Sequence, residues 1–338
     1  CQELFEKFSK YPLIQQEIDI HNTYPLLIPD RLIEKIKQTQ SSALIKQFIP
    51  SQQEETILGG FLDPIGDQKH QVVPGLIHRY KNRALLLPTN QCPIHCRYCF
   101  RKNELYDSSL KFRPNLAQIW DYLQAHTEIN EIILTGGDPL LLSNEHLSSL
   151  FEKIASLSHI KYLRLHTRFP VILPNRIDSG LLALLTKYSS HFSQIIFSLH
   201  INHVDEWDDQ VKYAMDALPT SILKVAQTVL LKGVNNHSSD LIELCEILIQ
   251  NSIRPYYLHH PDEVKGAMNF YISLPEGRRL YSELRNTLPG WAIPQYIYDI
   301  PGGEGKTQAF NPESYEVGHK FINRQGQIIH VDKKSSEV

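Results

Sequence analysis

Cysteine is scarce in this chain: there are five in 338 residues, and three of them (Cys92, Cys96, Cys99) crowd into eight positions. So few thiols, so spaced, exclude a disulfide framework and favour a metal. Cys1 and Cys245 stand apart as bystanders. Long apolar runs are missing too. None approaches the roughly 18 residues of a membrane span, and Cys1 to Lys10 is charged and mixed rather than signal-like. A soluble cytoplasmic protein with no membrane partner is expected. The chain begins without Met, and a few residues are expected to precede Cys1. Neither sign of charge dominates: 34 Lys and Arg face 37 Asp and Glu, for a net charge of -3. That balance offers no broad electrostatic reason to bind nucleic acid or anionic lipid, so small ligands are the expected partners. Repeats and low-complexity segments are likewise absent.

What is present suits one large core. The hydrophobic fraction of 42% and charged fraction of 21% are those of a globular protein, and a single α/β barrel can reach this length. From Gln2 to about Lys46 the pattern is helical and amphipathic, with Arg31 to Gln38 starting after Ile28-Pro29-Asp30. Gly59, Gly60, Pro64, Gly66, Pro74 and Gly75 then punctuate an irregular stretch leading into His78-Arg79-Tyr80-Lys81-Asn82-Arg83.

Six strand-like runs follow: Ala84 to Leu87, Glu131 to Leu134, Tyr162 to Leu165, Gln194 to Leu199, Leu223 to Leu230 and Pro255 to Leu258. Amphipathic segments separate or follow them: Leu116 to Ala125, Glu145 to Leu157, Gly180 to Tyr188, Val204 to Leu218, Leu241 to Gln250 and Glu276 to Asn286. This βα cadence predicts an α/β fold with a parallel sheet. A partial (β/α)6-type barrel is favoured, its active site at the C-terminal ends of the strands, over a doubly wound open sheet. Beyond Lys306, runs around Phe321 and Ile328 flank Asn323-Arg324-Gln325-Gly326, a hairpin signal. The expected organisation is a helical cap and lead-in over 1–77, the barrel over 78–306 and a small tail over 307–338.

Cys92-Pro-Ile-His-Cys96-Arg-Tyr-Cys99 directly follows the first of the six runs. Three thiolates from one tight loop can ligate three irons of a [4Fe-4S] cube and leave the fourth open to a ligand. Structural zinc with His95 as a fourth ligand is the alternative. After the second run, Thr135-Gly136-Gly137-Asp138-Pro139 is either an ordinary β-turn or a loop whose glycines expose amide donors to a ligand. His166-Thr167-Arg168 and His200-Ile201-Asn202-His203 end the third and fourth runs. Asp299-Ile-Pro301-Gly302-Gly303-Glu304-Gly305-Lys306 has three readings. It can be a surface turn, a nucleotide loop ending in Gly305-Lys306-Thr307 that lacks its first glycine, or a mobile support for an amine that binds a carbonyl cofactor.

The C-x3-C-x2-C spacing, with aromatic Tyr98 before the last Cys, resembles the radical S-adenosylmethionine (SAM) superfamily. Together with Gly-Gly-Asp-Pro and Pro-Gly-Gly-x-Gly-Lys, the pattern from about His78 to Lys306 resembles the lysine 2,3-aminomutase family. The resemblance implies a [4Fe-4S] cluster on Cys92, Cys96 and Cys99. It implies SAM held by Gly136, Gly137 and Asp138 and cleaved to a 5'-deoxyadenosyl radical, and the strand-end residues Arg168 and His200 are expected to face it. It further implies pyridoxal phosphate (PLP) carried by Lys306, with Arg79, Arg83 and Tyr98 around it. Arg101 would bind the carboxylate of a lysine substrate, and Asp262 and Asp299 its distal ammonium. Tyr98 replaces a His of close relatives. No Cys follows Cys245, so the structural zinc site of the larger catabolic members has no ligands here. The compact length resembles the bacterial branch that makes (R)-β-lysine from (S)-α-lysine. That branch implies a functional link to elongation factor P and its lysyl-transferring enzyme, together with an electron donor that the sequence does not identify. A catabolic 2,3-aminomutase, an aminomutase of glutamate or another amino acid, and a non-enzymatic iron-sulfur or zinc module are the alternatives.

Overall fold

The computed structural model describes residues 24–105, 112–310, 320–322 and 328–330. Ten strands form one sheet in chain order: β1 (Gln71–Val73), β2 (Leu76–Tyr80), β3 (Arg83–Thr89), β4 (Glu131–Gly136), β5 (Tyr162–Thr167), β6 (Gln194–His200), β7 (Ile222–Val229), β8 (Arg254–His259), β9 (Gln295–Ile300) and β10 (Gly305–Gln308). Strands β3 through β9 run parallel. Antiparallel β2 and β10 flank them. All six runs read from the sequence are strands, β3 to β8. Strands β2 and β10 extend across the expected boundaries at 77/78 and 306/307.

Helices fill the crossovers, and the sequence caps the start of most of them. The side chains of Ser143, Asp178, Asp208 and Ser273 accept from the amides of His146, Leu181, Val211 and Glu276, satisfying donors that a helix start leaves open. Asp208 also explains a departure from expectation. The segment Val204 to Leu218 is not one helix but a 3-10 turn, Val204–Glu206, and a separate helix, Asp209–Asp216, because Trp207 and Asp208 are extended between them. At the N-terminal side, the helix Asp30–Thr39 ends at left-handed Gln40, and Ser41 caps a second helix, Ser42–Phe48. The part of the N-terminal helical expectation that covers 1–23, and Cys1 with it, lies outside the described residues.

Along β5, Leu163 and Leu165 alternate with Arg164 and His166, so one face meets the helices and the other faces the polar interior. On the helix side, Leu163 and Leu165 join Leu147, Phe151, Leu181 and Leu185 in the main core, which also takes in Leu32, Ile36, Leu44 and Phe48 of the cap. Each fully buried leucine contributes about 2 kcal/mol. Opposite, Arg164 pairs with Glu131 of β4 at 2.9 Å, which places an ion pair on the interior face of the sheet.

The sheet curls into a partial barrel. Seven strand spacings separate β2 from β9, or about 34 Å in a flat sheet, yet Arg79 Nη1 on β2 lies 3.9 Å from Asp299 Oδ1 on β9. The Tyr80 hydroxyl likewise accepts from the Lys306 amide at 2.7 Å. Near the tail, β11 (Lys320–Ile322) pairs antiparallel with β12 (Ile328–His330) as the hairpin signal implies. The turn residues Asn323 to Gly326 lie outside the described residues.

Candidate active site

The cysteine loop leaves the C-terminal end of β3, and its three thiols are partly buried. Burial, reinforced by the charge of Asp138, raises the Cys92 thiol well above its usual range. Burial also raises Cys96, against the pull of Arg168, and pushes Cys99 up to about 12. Bare thiolates are therefore expensive here, and a bound cationic cluster would supply the missing charge. Among the described residues no three His, Cys, Asp or Glu side chains gather about one point as a single ion requires. His95 Nδ1 meets the carbonyl of Pro25 at 2.8 Å instead. Thiolates that each bind a different iron of a cube must stand apart, so the trio fits a cluster better than a zinc ion.

The two glycines at the end of β4, Gly136 and Gly137, let that loop lie directly on the lead-in to the cysteines. A Cβ on Gly137 would sit 2.0 Å from the Gln91 carbonyl oxygen, and Gly136 holds φ at 106°. The expected exposure of amide donors is corrected here. The Gly137 amide donates to Thr89 and that of Asp138 to Gln91, each at 2.9 Å, so these two amides are already engaged within the protein. Asp138 faces β5: its carboxylate accepts from Thr167 Oγ1 at 2.8 Å, the Arg168 amide at 2.7 Å and the Leu140 amide at 3.1 Å. Burial still lifts its carboxyl to about 6. It fastens the ends of β4 and β5 together.

Arg168 reaches back to the cysteine loop, with Nη1 3.5 Å from Cys96 Sγ, while Nη2 pairs with Gln47 at 2.9 Å and with Glu206. His200, at the end of β6, takes its Nε2 to the Tyr98 hydroxyl at 2.9 Å, and the two rings stack. Burial and the charge of Arg168 hold that imidazole neutral, well below its usual range. Tyr98 and His200 thus form a hydroxyl–imidazole bond inside the site.

A second set of charges faces the same interior. Lys306 on β10 donates Nζ to Asp299, and Arg79 links Asp299 to Asp67 through a 2.7 Å bond. Asp67 in turn accepts from Arg101, two residues past Cys99. The chain of charges therefore runs from the amine to the end of the cysteine loop. Asp262, on the loop after β8, is raised well above the usual carboxylate range by burial and by Asp299. His166 is lowered by burial and senses His259, Lys306 and Arg101 together, so β5 faces the same space. Arg83 stands one step away: its guanidinium lies 3.8 Å over the Tyr80 ring, whose hydroxyl meets Lys306.

Residues 82–167 match the 4Fe-4S single cluster domain family. The L-lysine 2,3-aminomutase of Escherichia coli (strain K12) is 37% identical over 287 residues, 84% of this chain and 83% of that protein. This chain belongs to the L-lysine 2,3-aminomutase family. The family's Haemophilus influenzae member is 35% identical over 296 residues, 87% of each chain, and its Clostridium subterminale member 33% over 266 residues, 78% of this chain and 63% of that one. Membership makes the protein an isomerase. A solved structure, Streptococcus suis SuiB bound to the precursor peptide SuiA, aligns with TM-score 0.45 at 16% identity, over 84% of this chain and 58% of that one. Among the described residues no helix is long and apolar enough to cross a membrane.

In this aminomutase, Gly305 and Lys306 lie in a strand rather than opening a helix, so the nucleotide-loop reading fails. Lys306 is ion-paired and half-buried, which also removes the surface turn. Asp67, Glu206 and Gln47 escaped the sequence reading, since an acid in a Gly-rich stretch or an acid or amide in a helical one carries no local signal. Tyr80 was within reach, lying between Arg79 and Arg83.

Proposed function

We propose that this enzyme is a radical SAM and PLP-dependent isomerase that moves the α-amino group of (S)-α-lysine to C3, giving (R)-β-lysine for modification of elongation factor P. The observation that carries the reading is Lys306 on Asp299. A primary alkylammonium, the same group that ends a lysine side chain, already rests on that carboxylate. With Lys306 occupied by PLP, the carboxylates of Asp299 and Asp262 are left to a substrate ammonium. An excess of negative charge there favours lysine over glutamate.

The donor set fits the groups the family implies. Cys92, Cys96 and Cys99 would hold the cluster, His200, Arg168 and the Gly136-Gly137-Asp138 loop would lie against SAM, and Lys306, Arg79, Arg83 and Tyr98 would surround PLP. When bound, the cluster and SAM supply a carbon radical, and PLP supplies the conjugated system that carries the migrating nitrogen. Arg101 offers a planar fork to the substrate carboxylate. With lysine fixed at both ends, only the C2–C3 segment is left facing the reacting groups, and a buried interior keeps water from the radical. Burial holds His166, His200 and His259 neutral, so none adds a competing cation. The reading assigns this chemistry to 78–306, with 1–77 as a cap and 307–338 as a tail.

Anaerobic reconstitution with iron, sulfide, SAM, PLP and a chemical reductant tests it. Conversion of α-lysine to (R)-β-lysine, accepted by the lysyl-transferring enzyme of elongation factor P, is expected. An (S)-product would favour the catabolic reading, and no turnover of lysine would remove the proposal.

A further inference from the structure

Arg79 and Arg101 come from different parts of the chain, β2 and the segment after the cysteine loop, and they meet on one carboxylate. Asp67 accepts from Arg79 Nη2 on Oδ1 at 2.7 Å and from Arg101 Nη2 on Oδ2, and all three side chains are buried. Each oxygen is bonded to a different guanidinium, so one planar group sets the angle between the two arginines. Arg101 directs Nη1 to Glu104 at 3.5 Å, which leaves further N–H donors of its five for an incoming anion.

Asp67 is itself held in place. Its amide donates to Asp63 Oδ1 at 3.0 Å. The preceding Gly66, at φ 65°, packs so closely on the turn before Lys306 that an added Cβ would lie 2.5 Å from the Gly303 nitrogen. Three residues on, His70 Nε2 meets the Gly303 carbonyl at 2.8 Å. The segment from Asp63 to His70 therefore touches the Lys306 turn on one side and both arginines on the other.

We propose that Asp67 is a positioning residue that presents Arg101 to the substrate carboxylate and ties that site to Lys306 through Arg79 and Asp299. The proposal rests on the lysine reading above. With both oxygens turned to arginines, Asp67 does not touch the substrate, and its effect is on where the substrate carboxylate can sit.

Asp67→Asn keeps the shape and removes the charge, whereas Asp67→Glu keeps the charge on a longer arm. In the reconstituted full chain, the Asn variant should raise the KM for lysine about thirtyfold, the low end of what loss of one partner in a buried charge pair implies, with kcat within about threefold of wild type. The Glu variant should fall between. Equilibrium dialysis gives a readout independent of turnover. Lysine binding should weaken in the Asn variant, while binding of pentane-1,5-diamine, which has both amines and no carboxylate, should not. Should the Asn variant prove insoluble, the Glu variant decides on the same KM and dialysis measurements. An unchanged lysine KM, or equal weakening for lysine and the diamine, overturns this inference and leaves the proposed reaction standing. A wild-type protein that binds no lysine overturns both.

Discussion

Lys306 and Asp299 are cross-strand partners: they stand opposite one another in the β9–β10 register, and the ammonium donates to the carboxylate. Burial alone would push the Asp299 carboxyl up, but Lys306 and His259 hold it well below the usual carboxylate range. A depressed carboxyl stabilises the fold above its unfolded pKa, and that contribution disappears as pH falls through the folded value.

Lys306→Ala should therefore act twice. The reconstituted variant should keep its iron but lose the PLP absorbance band, and persistence of that band would take Lys306 out of its role. It should also lose about 1–2 kcal/mol of stability at neutral pH, less than for a wholly buried pair because Lys306 is 32% exposed. In urea melts the gap to wild type should close towards acid, as Asp299 gains a proton in both proteins.

Asp262 predicts a pH dependence of opposite origin. Its carboxyl is raised by burial and by Asp299, so it holds a proton into a range where ordinary carboxylates are ionised. A substrate ammonium needs the ionised form. Lysine affinity should rise with pH through the elevated pKa and then level off, and Asp262→Asn should bind more weakly and show no such rise. An unaltered profile in that variant contradicts the ammonium assignment.

The cysteines separate cleanly by role. On the proposed assignment of three cluster ligands, Cys92→Ser, Cys96→Ser and Cys99→Ser should each lower iron and acid-labile sulfide severalfold. Cys245 is buried among Leu241, Leu244 and Leu248 in an apolar pocket. Cys245→Ser should leave the iron content at the wild-type level, and loss of iron in that variant would place a fourth thiol in the site.

Glu54 supports the cysteine loop from outside. Its carboxylate accepts from Arg97 Nε at 2.9 Å and Nη2 at 2.7 Å, and from Lys102 Nζ at 2.9 Å. Burial already lowers the Lys102 ammonium to about 8 despite that partner. Glu54→Gln strands two buried cations and should cost about 3–5 kcal/mol. A shift in the urea midpoint of less than one fifth of the wild-type value would refute the assigned role.

What the sequence determined by itself was everything written at short range. The C-x3-C-x2-C spacing, the six alternating strands and the helix starts at Ser143, Asp178 and Ser273 depend on residues a few positions apart, where sterics and capping act without knowledge of the fold. The glycine-rich turn that precedes Lys306 was legible for the same reason. Strands β1, β2, β9 and β10 were not, because short strands bounded by glycine and proline lack the uninterrupted or alternating apolar pattern that marks β4 to β7. The tertiary structure alone decided that Asp67 bridges Arg79 and Arg101, that Asp138 fastens β5 instead of facing outward, and that Tyr98 bonds His200. Those pairings exist because the sheet curls until its two ends share one interior, and the curl is a sum of small twists that no single stretch of residues records.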